Sequence, residues 1–303
     1  MTAVQLRGVY VPLVTPFADD GSIDFASLQR LANESLDASA TGLVALATTG
    51  EVTSLTEAER ADVIQALSEV SADRDTPLIV GAATNDTATT VARHEALADV
   101  PAVVASLAVV PYYVRPSEAA IVAHFEFVSE RSPVPLVVYN IPYRTGRGLG
   151  AASLLELAAI PGIAGIKQAV GSLDADTLTV LANAPSDFAV LGGDDAFLAP
   201  LVLMGGAGAV AASAHLCTDR FVAMIDAALA GDAAHARPHA EALLPLVLAL
   251  FAEPSPAILK AVLHAEGRIS TPSVRMPLAA ASAAGADAAL AAFHAASAVT
   301  LAS

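Results

Sequence analysis

The chain has 303 residues, of which 55% are hydrophobic and 15% charged, so it can bury a large core and is not expected to be disordered. Its formal net charge of −16 disfavours binding to nucleic-acid phosphates and to anionic membrane surfaces. Its only cysteine, Cys217, excludes an internal disulfide and a cysteine zinc cluster.

The N-terminal segment has no basic stretch followed by a long apolar run, which disfavours a signal peptide. Elsewhere, charged or turn residues interrupt every apolar run before it reaches the length of a transmembrane helix. We therefore expect a cytoplasmic protein without a membrane partner.

Short runs rich in β-branched residues alternate with longer stretches of helical periodicity. The predicted strands are Val9–Pro16, Gly42–Ala47, Leu78–Ala83, Val103–Val110, Leu136–Asn140, Ala164–Lys167, Ala189–Leu191 and Ala209–Ala212. They are apolar throughout, as expected when both faces of a parallel sheet are buried. About eight βα units in a row favour a closed (β/α)8 barrel, the TIM barrel, over an open sheet.

Helix starts and the end of the barrel can also be placed. Thr56 and Glu59 have the spacing of a capping box, and Ser117 and Asp174 are N-cap candidates. Beyond the eighth strand the chain shows only helical character. We therefore predict a catalytic barrel over residues 1–231 and a small C-terminal helical appendage over residues 232–303.

Lys167 is the most informative residue, because enzymes with this architecture place their active sites at the C-terminal ends of the strands. It ends the apolar sixth strand and is one of only two lysines, the other being Lys260. Burial without a counter-ion lowers the pKa of a lysine, and the neutral amine can attack a ketone to form an imine. A lysine that extends to the barrel rim is the ordinary alternative.

Other strand ends supply partners for this amine. Tyr139 ends the fifth strand, one βα unit before Lys167, and its phenol could relay protons. Thr48 and Thr49 offer hydroxyls and consecutive N–H groups for a carboxylate. Arg144 could clamp a second carboxylate. Taken singly, these residues also fit a core tyrosine, an ordinary turn and a surface ion pair.

Asp194, Asp195 and His215 also follow strands, but none has further ligands at metal-binding spacing. We predict that the two aspartates cap a helix and that His215 has no catalytic role. No metal or dissociable cofactor is expected.

Together these residues resemble the dihydrodipicolinate synthase / N-acetylneuraminate lyase family of class I aldolases, almost from end to end. Five motifs occur in the family order, namely Thr48-Thr49-Gly50-Glu51, Pro111-Tyr112-Tyr113, Tyr139-Asn140-Ile141-Pro142, Gly165-Ile166-Lys167 and Gly193-Asp194-Asp195. Five motifs in order at βα spacing are far more specific than any one alone.

The resemblance implies roles that the residues alone do not. Lys167 would form the Schiff base with pyruvate or a related 2-keto acid, and Tyr139 would relay protons. Thr48 would link Tyr139 to Tyr113, which family members donate across a dimer interface. The N–H groups of Thr48 and Thr49 would hold the pyruvate carboxylate, and Val210 would line the site. A homodimer or homotetramer is expected.

Arg144, in the segment after Tyr139, resembles the synthase branch, in which this arginine binds aspartate semialdehyde. The resemblance therefore implies 4-hydroxy-tetrahydrodipicolinate synthase activity, in diaminopimelate and lysine biosynthesis. The main alternative is an aldolase or dehydratase of a 2-keto-3-deoxy sugar acid, which would use the same lysine. A ligand-sensing barrel is disfavoured by the complete lysine, tyrosine and threonine set. A phosphate-binding barrel is disfavoured because the glycine-rich segment Gly205–Gly208 precedes the eighth strand.

Overall fold

The computed structural model describes residues 5–299. Eight parallel strands form a closed barrel in chain order, with the eighth strand paired to the first. The strands are β1 (Gly8–Pro12), β2 (Gly42–Ala45), β3 (Leu78–Gly81), β4 (Val103–Val109), β5 (Leu136–Asn140), β6 (Ile163–Gln168), β7 (Ala189–Gly192) and β8 (Gly208–Val210). The predicted barrel is confirmed.

The predicted ends of β1, β2, β3, β4 and β8 were too late in the chain, and those of β6 and β7 were one residue too early. The apolar runs continue past the last ladder residue because the segments that follow are also buried; Leu13 and Val14 follow β1 in this way. At β2 the chain leaves the ladder at Leu46, whose φ is +55°. Apolar composition therefore reports burial here, and not only strand pairing.

Helices surround the barrel and continue beyond it. They are α1 (Phe25–Asp37), α2 (Glu57–Asp73), α3 (Thr87–Glu95), α4 (Glu118–Ser129), α5 (Pro142–Thr145), α6 (Ala151–Ala158), α7 (Ala175–Asn183), α8 (Leu198–Leu203), α9 (Thr218–Leu229), α10 (Ala233–Leu250), α11 (Ala257–Ala265) and α12 (Ala283–Ala298). The capping box of Thr56 and Glu59 opens α2, while Ser117 and Asp174 cap α4 and α7. All three predicted helix starts are confirmed.

Two apolar clusters make up the core, one inside the barrel and a larger one between the barrel and its helices. Leu246 of α10 and Ile258 of α11 belong to the larger cluster, so the C-terminal helices share the core of the barrel. The division at residues 231 and 232 stays a prediction. Within residues 5–299, no helix combines the length and apolar character needed to cross a membrane.

Candidate active site

Lys167 lies on β6 in register with Tyr139 on β5 and Leu191 on β7. Only 5% of its surface is exposed. A Cβ added to Gly193 would lie 2.6 Å from the Cε atom of Lys167, so the absence of a side chain at Gly193 gives the lysine stem its space. The barrel ladder and this glycine together fix the course of the side chain.

The charge state of Lys167 follows from its surroundings. Burial lowers the pKa of its amine to about 8, against the opposing attraction of Asp195, Tyr143 and Asp194. The neutral, nucleophilic form is therefore accessible close to neutral pH.

Tyr139 adjoins this amine, with the Lys167 Nζ atom 4.4 Å from the centre of its ring. Burial raises the pKa of the Tyr139 phenol to about 12, although interactions with the Thr48 hydroxyl and the Arg144 guanidinium act in the opposite direction. The phenol is therefore protonated at neutral pH and can donate a proton or a hydrogen bond to a group on the amine.

Thr48, Thr49 and Gly50 form a 3-10 turn after β2. The Thr15 hydroxyl donates to the Gly50 carbonyl at 2.8 Å, and the Glu51 N–H donates to the Thr48 carbonyl at 3.1 Å. Since the first N–H groups of a helical turn have no acceptor within it, those of Thr48 and Thr49 are available to an anion.

A cavity of about 400 Å³ brings several of these groups together. Thr48, Tyr112, Tyr139 and Arg144 line it. Arg144 also lines a neighbouring cavity of about 520 Å³ with Asp194 and Asp195, so its guanidinium lies between two parts of the barrel mouth.

Arg144 lies in the short helix α5 and is exposed. Its guanidinium carbon is 5.2 Å from the centre of the Tyr143 ring, and it forms no ion pair with any residue between 5 and 299. The geometry does not support the alternative of a surface ion pair, and it leaves the cation available to a ligand carboxylate.

The prediction that Asp194 and Asp195 cap a helix was wrong. Neither side chain caps the 3-10 turn that follows β7. Asp194 accepts from the Gly171 N–H at 2.6 Å, and Asp195 accepts from the Ser213 N–H at 2.7 Å, so both connect loops that are distant in sequence. Burial raises the pKa of Asp195 to about 6.

Three more predicted residues are found in different settings. Val210 is buried in the inner barrel cluster with Tyr139, as expected of a site-lining residue. Tyr113 is 87% exposed with φ +70°, and the single chain does not bring it to the site. His215 accepts from the Val14 N–H at 3.1 Å, and burial lowers its pKa to about 4, which fits a structural role.

Sequence reasoning missed the partnership of Glu51 and Lys260. Both side chains are fully buried and form an ion pair beside the Thr48–Gly50 turn. The available signal was a lone lysine within the apolar run Ala257–Leu263 of a helix, where only a partnered charge is stable.

Comparisons with known proteins bear on the whole chain. The model of the dihydrodipicolinate synthetase family matches residues 5–296. The 4-hydroxy-tetrahydrodipicolinate synthase of Neisseria meningitidis serogroup B is 38% identical over 274 residues, which cover 90% of this chain and 93% of that protein. That of Koribacter versatilis is 38% identical over 275 residues, 91% of each chain.

Solved structures of the same family are similar along nearly their full length. Dihydrodipicolinate synthase from Thermotoga maritima superposes with a TM-score of 0.93 at 30% identity, covering 97% of this chain and 99% of that one. The chloride-inhibited enzyme from Acinetobacter baumannii, complexed with pyruvate, gives a TM-score of 0.92 at 30% identity with the same coverage.

Proposed function

The chain belongs to the dihydrodipicolinate synthetase family, and we propose that it is a 4-hydroxy-tetrahydrodipicolinate synthase that joins pyruvate to aspartate semialdehyde through an imine on Lys167. The observation that carries the proposal is the buried Lys167 amine, with a pKa of about 8, 4.4 Å from the ring centre of a protonated tyrosine. The names of the relatives support the same activity.

The first half of the reaction forms the imine. The pyruvate carboxylate binds the N–H groups of Thr48 and Thr49, and the neutral Lys167 amine attacks the ketone carbon. A carbon–nitrogen bond forms, and the former carbonyl oxygen leaves as water. The protonated Tyr139 phenol supplies the proton that this departing oxygen needs.

The second half makes the carbon–carbon bond. Loss of a proton from the pyruvate methyl group converts the imine to an enamine, whose carbon attacks the aldehyde. The amino group of the aldehyde substrate then attacks the imine carbon, closes the ring and releases Lys167 as a free amine. The lysine is regenerated, so the reaction needs no added oxidant or metal.

Arg144 binds the carboxylate of the aldehyde in this proposal. It lines the same cavity as Thr48 and Tyr139, and no ion pair within residues 5–299 competes for it. Val210, at the end of β8, lines the site next to Tyr139 in this proposal. Tyr113 completes the proton relay through Thr48 in a homodimer or homotetramer, which gives its exposed ring a buried environment. We also propose a cytoplasmic location and a reaction without dissociable cofactor.

Two measurements test the function. The protein is incubated with pyruvate, reduced with borohydride and mapped by peptide mass, and we expect the adduct on Lys167. Initial velocities are then compared for pyruvate with aspartate semialdehyde and for a panel of 2-keto-3-deoxy sugar acids. Turnover of a sugar acid, with none of aspartate semialdehyde, would replace the proposal with the aldolase or dehydratase alternative.

Arg144→Ala separates the two substrates. Loss of a charge-assisted contact of about 2–4 kcal/mol should lower kcat/KM for the aldehyde roughly 30- to 1,000-fold and leave pyruvate trapping intact. Arg131→Ala is the matched control, since Arg131 lies exposed over the Phe127 ring and away from the site. An unchanged kcat/KM for Arg144→Ala would remove the arginine from aldehyde binding.

A further inference from the structure

A buried ion pair connects the C-terminal helices to the turn that follows β2. Lys260 on α11 and Glu51 pair through Nζ and Oε1, and both side chains have no exposed surface. The Lys260 amine also donates to the Ser273 carbonyl at 2.8 Å. The pair therefore joins segments more than 200 residues apart in the chain.

The second carboxylate oxygen of Glu51 is also bound. Its Oε2 accepts from the backbone N–H of Arg275 at 2.8 Å. Two groups from the C-terminal segment thus hold the two oxygens of one carboxylate, and that carboxylate cannot turn without losing one of them.

Glu51 is the residue immediately after the Thr48–Gly50 turn, and its backbone has φ +53°, in the left-handed region that a side chain disfavours. From this conformation its N–H reaches the Thr48 carbonyl at 3.1 Å and closes the turn. The anchored carboxylate therefore stabilises the closed turn, in which the N–H groups of Thr48 and Thr49 are available to a carboxylate.

We propose that Lys260 is a positioning residue for the keto-acid substrate, because through Glu51 it holds the Thr48–Thr49 turn in the shape that binds a carboxylate. The inference rests on the proposed function of that turn. A buried ion pair gives little net stability compared with an apolar pair of the same volume. Its distinctive contribution here is geometric, since an apolar pair in place of Glu51 and Lys260 could not bind the Ser273 carbonyl and the Arg275 N–H.

The test uses Lys260→Met, Glu51→Gln and the double variant in the full-length protein. The readout is the pyruvate concentration that gives half-maximal borohydride trapping on Lys167, together with KM for each substrate. The double variant leaves no lone buried charge and should fold. We expect it to need about 10- to 100-fold more pyruvate. KM for the aldehyde should stay within about twofold of wild type, because Arg144 lies in α5 and not in this turn.

Glu51→Asp is the second variant, because it keeps the charge and the fold but shortens the anchor, and it should raise the same pyruvate concentration. Glu34→Gln is the control, since it breaks another ion pair between α1 and the C-terminal segment, with Arg268, and neither residue hydrogen-bonds to the Thr48–Gly50 turn. If the folded double variant or Glu51→Asp traps pyruvate at the wild-type concentration, the positioning role is overturned. Absence of trapping in the wild type would instead overturn the proposed function.

Discussion

The two lysines of this chain occupy similar sites and have different partners. Burial lowers the pKa of each to about 8, and each amine lies near an aromatic ring, that of Tyr139 for Lys167 and that of Phe17 for Lys260. Lys260 is bound by a carboxylate and a carbonyl. The Lys167 amine makes no hydrogen bond among the residues between 5 and 299. Burial alone therefore does not make a lysine nucleophilic. A buried amine that no acceptor binds can serve as the nucleophile.

The largest change in stability should follow replacement of Lys260. Lys260→Met leaves the Glu51 carboxylate buried without its cation, which should lower the free energy of unfolding by about 3–5 kcal/mol. Urea denaturation followed by circular dichroism measures this loss. Adding Glu51→Gln should recover most of it, and a single variant as stable as wild type would show that the pair is not coupled.

Lys167→Met should act in the opposite direction on stability. The folded pKa of about 8 lies below the ordinary value of 10.5, so protonation of Lys167 disfavours the folded state at neutral pH. Methionine should raise the free energy of unfolding by up to about 3 kcal/mol at pH 7, a gain that shrinks between pH 8 and 10.5. Denaturation midpoints across this pH range measure it.

The same variant should lose pyruvate trapping altogether. A Lys167→Met protein that is less stable than wild type and still traps pyruvate would contradict both the unfavourable burial of Lys167 and its role as the nucleophile. Trapping by the wild type on Lys260 would reverse the assignment of the two lysines.

Gly193→Ala tests whether the space around the Lys167 stem matters. The new Cβ would lie 2.6 Å from the lysine Cε, so the flexible side chain must shift. A misplaced amine should slow trapping by about 10- to 100-fold, with at most about 1–3 kcal/mol lost in stability. Gly150→Ala is the control, because the Cβ there meets only ordinary contacts at 3.7 Å or more. Equal trapping rates for the two variants would show that the stem tolerates displacement.

The pH profile of trapping gives the smallest effect. The rate should rise as pH increases through about 8, as the Lys167 amine with this pKa loses its proton. Asp195 favours the charged amine, so Asp195→Asn should move the rise to lower pH, by less than about one unit because Asp194 remains. Rates from pH 6 to 10 decide this. A rise displaced to higher pH would mean that Asp195 acts by another route.

Periodicity and strand-end position were enough to predict the barrel and the meeting of Lys167 with Tyr139, because adjacent parallel strands bring their ends together. The register that sets Tyr139 opposite Lys167 was not readable, since it depends on the pairing of strands around the barrel. The interpretation of Asp194 and Asp195 failed for a similar reason. The local pattern was that of a helix cap, but the two carboxylates accept instead from the N–H groups of Gly171 and Ser213. Only folding brings these groups near.

The pairing of Glu51 with Lys260 could not be predicted from any local sequence pattern, because the two residues are separated by 209 positions. Each is informative only once the other is placed. A buried lysine in an apolar helix indicates that a partner exists, but the sequence does not say which of the 31 acidic residues it is.

The anchor of Glu51 also sets an order of events during synthesis of the chain. Its partners, Lys260 and the backbone of Arg275, are made after all eight strands, so a barrel emerging from the ribosome has its β2 turn but not the contacts that hold it. In this proposal, binding of the keto acid therefore matures only when α11 and the segment up to Arg275 have docked. A protein shortened before Lys260 would still contain the nucleophile Lys167 but would lack the contacts that shape the carboxylate-binding turn beside it.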